Sequence, residues 1–81
     1  NAKYLSQVIN LEKGKSFNNY INELRINYTI EKLKIDLTFR KYSIKAIANE
    51  VGFNTSESFS KAFYKNTGIR PSYFIKELEN L

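Results

Sequence analysis

The sequence contains no cysteine and no histidine. The first absence excludes a disulfide framework, thiol chemistry and a thiolate metal site. The second removes the commonest general base and the commonest transition-metal ligand. The acids are scattered along helical stretches and none forms an evident pair, so carboxylate catalysis has no visible centre. The residues therefore do not read as an enzyme, and they imply neither a cofactor nor a metal. No apolar run approaches the ~18 residues of a membrane span, and no signal-peptide pattern is visible. Methionine is absent too; a chain that starts at Asn1 without one reads as a processed product or an expressed fragment. Proline occurs once and glycine three times, so each of these residues is informative.

Eighty-one residues are expected to make one domain, near the lower limit for burying a useful core. Six Phe and six Tyr supply much of that burial, because each ring covers a large area. The net charge is +5, which fits a polyanionic partner without proving one. The excess lies mainly in residues 1–42, with eight Lys/Arg against four acids, whereas residues 43–81 carry five against four.

Gly14, Gly52 and Gly68 each follow a helical apolar pattern, where a left-handed residue ends a helix. Pro71 stands where a helix begins. These marks divide the chain into five expected helices and no strands. The first covers about 2–12, with Leu5, Val8 and Ile9 on its apolar face. The second covers about 17–37 behind the cap candidate Ser16. Its expected stripe is Phe17, Tyr20, Ile21, Leu24 and Tyr28, continued by Ile30, Leu33 and Leu37. Its charges Glu31, Lys32, Lys34 and Asp36 read as a solvated face. The third covers about 44–50 after Ser43, with Ile44, Ile47, Ala48 and Val51 inward. The fourth covers about 55–66, with Phe59, Ala62, Phe63 and Asn66 on one side. The fifth covers about 71–79, with Tyr73, Phe74, Ile75 and Leu78 as apolar contributors. An internal repeat at an offset of 54 aligns residues 4–24 with 58–78, pairing Ser6 with Ser60, Gly14 with Gly68, Ile21 with Ile75 and Glu23-Leu24 with Glu77-Leu78. One helix precedes the second copy and none precedes the first, so the chain is expected to start partway through its first unit.

The stretch "KAIANEVGFNTSESFSKAF", 45–63, reads as a helix-turn-helix. Ala48 suits a close helix crossing, Gly52 a chain reversal at positive φ, and Phe53 a return to the core. Asn54 or Thr55 caps the next helix, and Glu57 faces its N-terminal dipole. Opposite the apolar side, that helix presents Glu57, Lys61 and Tyr64, flanked by Ser56, Ser58, Ser60 and Lys65. Such a face suits a DNA major groove: short hydroxyls permit close approach, Lys61 can reach guanine or phosphate, and Glu57 can accept from cytosine. Each feature has a plainer reading. Ser43, Asn54 and Thr55 serve as simple caps, Glu57 as a dipole partner, and Lys61 as a solvated lysine. The basic pair Arg40-Lys41 sits at a loop, where phosphate contact is one option.

"SIKAIANEVGFNTSESFSKAFYKNTGIRPSYFIKEL", 43–78, resembles the second helix-turn-helix and closing helix of AraC/XylS-type transcription regulators. The resemblance rests on Ile47-Ala48, Val51-Gly52-Phe53, Phe59, Phe63, Lys65, Gly68, Pro71 and Tyr73. Residues 4–26 resemble that family's first recognition helix and the start of its linker helix, through Leu5-Ser6, Gly14, Phe17, Tyr20-Ile21 and Leu24-Arg25-Ile26. The resemblance implies an all-α, homeodomain-like fold: a partial first unit (1–15), a linker helix (16–42) and a complete second unit with a closing helix (43–81). The two helices that precede the first recognition helix in the family have no counterpart here. The implied partner is double-stranded DNA, with base contacts from Ser56, Glu57, Ser58 and Lys61 and from Lys3, Ser6 and Gln7. Phosphate contacts fall on Ser43, Thr55 and Lys65. RNA polymerase is a possible further partner, and an effector or receiver domain is expected elsewhere in the full-length protein. The family also implies a bacterial, cytoplasmic, nucleoid-associated protein with no membrane partner. The rival reading is a helical protein–protein module, binding through a face such as Tyr28, Tyr64 and Tyr73.

Overall fold

The computed structural model describes residues 16–81, which form four α-helices, a 3-10 turn and no strand. The helices are α1 (Phe17–Ile35), α2 (Ile44–Glu50), α3 (Ser56–Thr67) and α4 (Pro71–Glu79), with the 3-10 turn at Phe39–Lys41 between α1 and α2. The expected helix over 2–12, with Leu5, Val8, Ile9 and Gly14, lies outside the described residues.

Local chemistry sets most of the boundaries. Ser16, Ser43 and Thr55 are the N-caps of α1, α2 and α3, and their hydroxyls accept from the amides of Asn19 (3.1 Å), Ala46 (3.1 Å) and Ser58 (3.0 Å). Each bond satisfies one of the amides that a helix start leaves unpaired. The expectation of Asn54 or Thr55 as cap resolves to Thr55, so α3 begins at Ser56 and runs to Thr67. α2 ends in a Schellman turn. There the amide of Phe53 reaches Ala48 O at 2.8 Å and that of Gly52 reaches Asn49 O at 3.3 Å, with Gly52 at φ +101°. Pro71 occupies the first turn of α4.

α1 departs from the expected pattern in two ways. It stops at Ile35, because the Asp36 carboxylate accepts from the amide of Phe39 at 3.0 Å and turns the chain. Leu37 thus falls outside the helix and is exposed. The buried stripe is Ile26, Thr29 and Leu33, with Ile30 packed beside it, whereas Leu24 and Tyr28 are 46% and 55% exposed. Apolar residues surround much of this helix, and only contact with α3 decides which face is inward. Lys32 is likewise not simply solvated: its ammonium lies 4.5 Å from the centre of the Phe39 ring and 3.7 Å from Glu50 Oε1.

The core gathers Ile26 and Leu33 of α1, Phe39, Ile47 and Ala48 of α2, Val51 and Phe53 of the turn, and Phe59, Ala62 and Phe63 of α3. Phe74, Ile75 and Leu78 close it from α4, while Tyr73 is exposed. A chain of rings links the turn to α4: Phe53–Phe59 at 5.5 Å, Phe59–Phe63 at 5.9 Å and Phe63–Phe74 at 5.6 Å. These tilted and edge-on contacts hold α3 on two sides, and each is worth roughly 0.5–1.5 kcal/mol beyond the area buried.

Candidate nucleic-acid interface

α3 is the element that the rest of the fold positions. Ala48, fully buried, stands where α2 and α3 pack together, and a larger side chain there would separate them. Gly52 reverses the chain between the two. Arg25 of α1 reaches across to this turn, with its guanidinium carbon 5.6 Å from the centre of the Phe53 ring. Its NH1 donates to Asn22 Oδ1 at 3.2 Å.

With Phe59, Ala62 and Phe63 buried, α3 turns an exposed ridge of Glu57, Lys61 and Tyr64 outward. Ser58 and Lys65 flank it on the α1 side, and Ser60 flanks it on the α4 side. Asn66, expected inward, is exposed and folds its amide back onto Ala62 O at 2.8 Å. The ridge separates two open troughs. One, about 550 Å3, lies against α1, and its lining includes Asn19, Asn22, Glu23, Ser58, Lys61 and Lys65. The other, about 570 Å3, lies against the start of α4 and includes Ser60, Lys61, Tyr64, Arg70 and Ser72. Lys61 borders both.

The sequence-predicted site residues divide into three groups. Glu57, Lys61 and Lys65 are exposed and make no ion pair among the described residues, so their charges face solvent. Ser43, Thr55 and Ser58 are engaged with the helix starts. The Ser58 hydroxyl donates to Thr55 O at 3.0 Å, and the Thr55 hydroxyl donates to Ser58 Oγ at 2.9 Å. Ser56 is half-buried and donates to Glu57 Oε1 at 3.3 Å. Lys3, Ser6 and Gln7 lie outside the described residues.

Two cations change roles relative to the sequence reading. Arg40, considered for phosphate contact, is committed to the fold: its Nε donates to Leu33 O at 2.6 Å, its NH2 to Lys34 O at 3.0 Å, and its NH1 to Glu79 at 3.1 Å. It neutralises the C-terminal carbonyls of α1 rather than facing solvent. Arg70, which the sequence reading passed over, stands at the N-cap of α4 and borders the second trough. The signal for it was available: an arginine directly before an N1 proline, where a short capping side chain is usual. Among the described residues no group of acids, histidines or cysteines could hold a metal, and no helix is long and apolar enough to cross a membrane.

A model of a helix-turn-helix domain family matches residues 1–77. Among curated relatives, the chain is 35% identical over 75 residues to an uncharacterized transcriptional regulatory protein, YesN, of Bacillus subtilis (91% of this chain, 20% of that protein). It is 36% identical over 80 residues to the Msm operon regulatory protein of Streptococcus mutans (95% and 26%). It is 33% identical over 75 residues to the raffinose operon transcriptional regulatory protein RafR of Pediococcus pentosaceus (93% and 26%). The chain thus spans about a fifth to a quarter of the length of these relatives. No solved structure matches it. These names are those of transcriptional regulators and not of enzymes, and the matched family covers both the glycine turn and the ridge helix behind it. The chain belongs to the AraC-type helix-turn-helix domain family.

Proposed function

We propose that this chain is a DNA-binding part of a bacterial transcription regulator, and that it reads base sequence by laying α3 in the major groove. The observation that carries the reading is the exposed ridge of Glu57, Lys61 and Tyr64, held away from the core by Phe59, Ala62 and Phe63. An α-helix is ~10–12 Å across with its side chains and fits a major groove ~12 Å wide. In this arrangement Lys61 addresses guanine O6/N7, Glu57 accepts from a cytosine amine, and Ser56 and Ser58 approach base edges closely. Ser43, Thr55 and Lys65 fall towards phosphates. No bond is made or broken; function is equilibrium binding.

The same reading extends to Lys3, Ser6 and Gln7 of a first unit in residues 1–15, joined by the 16–42 segment to a second unit in 43–81. The greater length of the relatives leaves room for an effector or receiver domain, and the family resemblance adds RNA polymerase as a further partner. A regulator of this kind works on the bacterial chromosome, and hence in the cytoplasm.

Fluorescence anisotropy on a mixed-sequence duplex of about 20 bp, at about 50 and 200 mM salt, tests the proposal. With a slope of ~0.9 per neutralised phosphate, about four contacts predict a loss of roughly a hundredfold over that range. Lys61→Ala should weaken binding and relax the sequence preference. Binding that ignores salt, or no DNA binding at all, would overturn the reading in favour of a protein-binding module using Tyr28, Tyr64 and Tyr73, each of which is more than half exposed.

A further inference from the structure

The geometry points to Arg70 as a phosphate anchor that seats one DNA strand in the trough between α3 and the start of α4. This rests on the major-groove reading proposed above and adds a residue and a strand path to it. When a helix fills a major groove, the two sugar-phosphate backbones run along its two flanks. The α4-side flank of α3 is an open trough of about 570 Å3, bordered by Ile44, Ser60, Lys61, Tyr64, Arg70 and Ser72. Two cations and several hydroxyls therefore line one channel that follows the ridge. The acid that also borders it, Glu57, belongs to the exposed ridge of α3. Its charge repels phosphate within this same trough, so the hold on the strand there falls to the two cations, Lys61 and Arg70.

The internal repeat gives an independent argument. At the offset of 54, Arg70 corresponds to Ser16. Ser16 caps its helix, accepting from the amide of Asn19 at 3.1 Å. Arg70 holds the equivalent N-cap position of α4 and makes no capping bond. Among the described residues it makes no ion pair either, and it is exposed. Helix stability thus does not explain an arginine here, since a serine would serve the helix better. A guanidinium at the lip of the trough does fit a phosphate, which it can grip with two parallel N–H bonds.

The test measures the salt dependence of DNA binding for the full 81-residue chain and for Arg70→Ala, Arg70→Ser and Lys76→Ala. Lys76 is an exposed lysine of α4 away from the trough and controls for net charge. Both Arg70 variants should lower the slope of log K against log salt by about 1, and should weaken binding to unrelated duplexes by a similar factor. Arg70→Ser should also raise the melting temperature by restoring the cap, a combination that a merely structural role for Arg70 cannot give. An unchanged slope in the Arg70 variants, or an equal fall in Lys76→Ala, overturns the inference while leaving the major-groove reading intact. Salt-insensitive binding by the parent chain overturns both.

Discussion

The guanidinium of Arg40 and the carboxylate of Glu79 meet at 3.1 Å, joining the segment after α1 to the last residue of α4. The two sides of this pair are unequal. The Arg40 side chain is 10% exposed and also donates to two carbonyls of α1, whereas that of Glu79 is 51% exposed. The carbonyl bonds therefore outweigh the ion pair, which solvent screens.

Arg40→Ala should lower stability by about 2–3 kcal/mol, since bonds from a charged donor are worth ~1.5–3 kcal/mol and two α1 carbonyls lose their partner. Glu79→Gln should lower it by less than ~1 kcal/mol. Urea midpoints of the two variants check this. Equal losses would mean that the ion pair, and not the carbonyl clamp, holds the junction.

Gly52 and Gly68 separate backbone strain from crowding. Both have positive φ, +101° and +80°, but a Cβ at Gly52 would lie 3.0 Å from Arg25 Nε, whereas one at Gly68 meets nothing within 4 Å. Gly68→Ala should cost the left-handed penalty alone, roughly 1–2 kcal/mol. Gly52→Ala should cost more, because it also moves Arg25 off Phe53, a contact worth ~0.5–1 kcal/mol. The excess should vanish in an Arg25→Ala background, which a double-mutant cycle by chemical denaturation measures directly.

The features legible in the sequence were the local ones. Ser16, Ser43, Gly52, Gly68 and Pro71 each act on their own helix end, so residue type and position suffice to place them. The ridge of α3 was legible because Phe59, Ala62 and Phe63 fix one side of a helix and so define the other. The inward face of α1 was legible only in part, at Ile30 and Leu33 and not at Ile26 or Thr29. Its apolar residues spread around the helix, and burial of Ile26, Thr29 and Leu33 is decided by α3, far away in sequence. For Arg40, phosphate contact was one option, and its place in the fold was not legible: its side chain turns back to carbonyls six and seven residues earlier and meets Glu79, 39 residues on. Arg70 lies at the start of α4, not on the ridge helix, and only the packing of the two helices brings it to the trough.

Thr29, the one buried polar residue among the described residues, donates its hydroxyl to Arg25 O at 2.7 Å. That carbonyl already accepts within the helix, so the hydroxyl satisfies itself more than it satisfies the backbone. Thr29→Val keeps the shape and removes the polar group, and should change stability by less than ~1 kcal/mol in either direction. Thr29→Ala should destabilise by more, because it leaves a cavity between α1 and its neighbours. Thermal melts of the two variants distinguish the cases, and a Val variant as unstable as the Ala one would assign the hydroxyl a larger role.

Ser43 allows the cap and the phosphate contact to be separated. Its hydroxyl accepts from the amide of Ala46 at 3.1 Å, and its neighbour Ile44 borders the trough that also holds Arg70. Ser43→Ala removes the acceptor and should cost about 1 kcal/mol of stability. Ser43→Asp keeps an acceptor, adds a charge that suits a helix start, and should leave stability near that of the parent. A phosphate nearby reverses the order for DNA binding: the new carboxylate repels the strand, so Ser43→Asp should bind DNA more weakly than Ser43→Ala despite being the more stable protein. Melting curves and anisotropy on the same two variants give both orders. If Ser43→Asp binds DNA at least as well as Ser43→Ala, no strand passes the start of α2, and Ser43 is a cap alone.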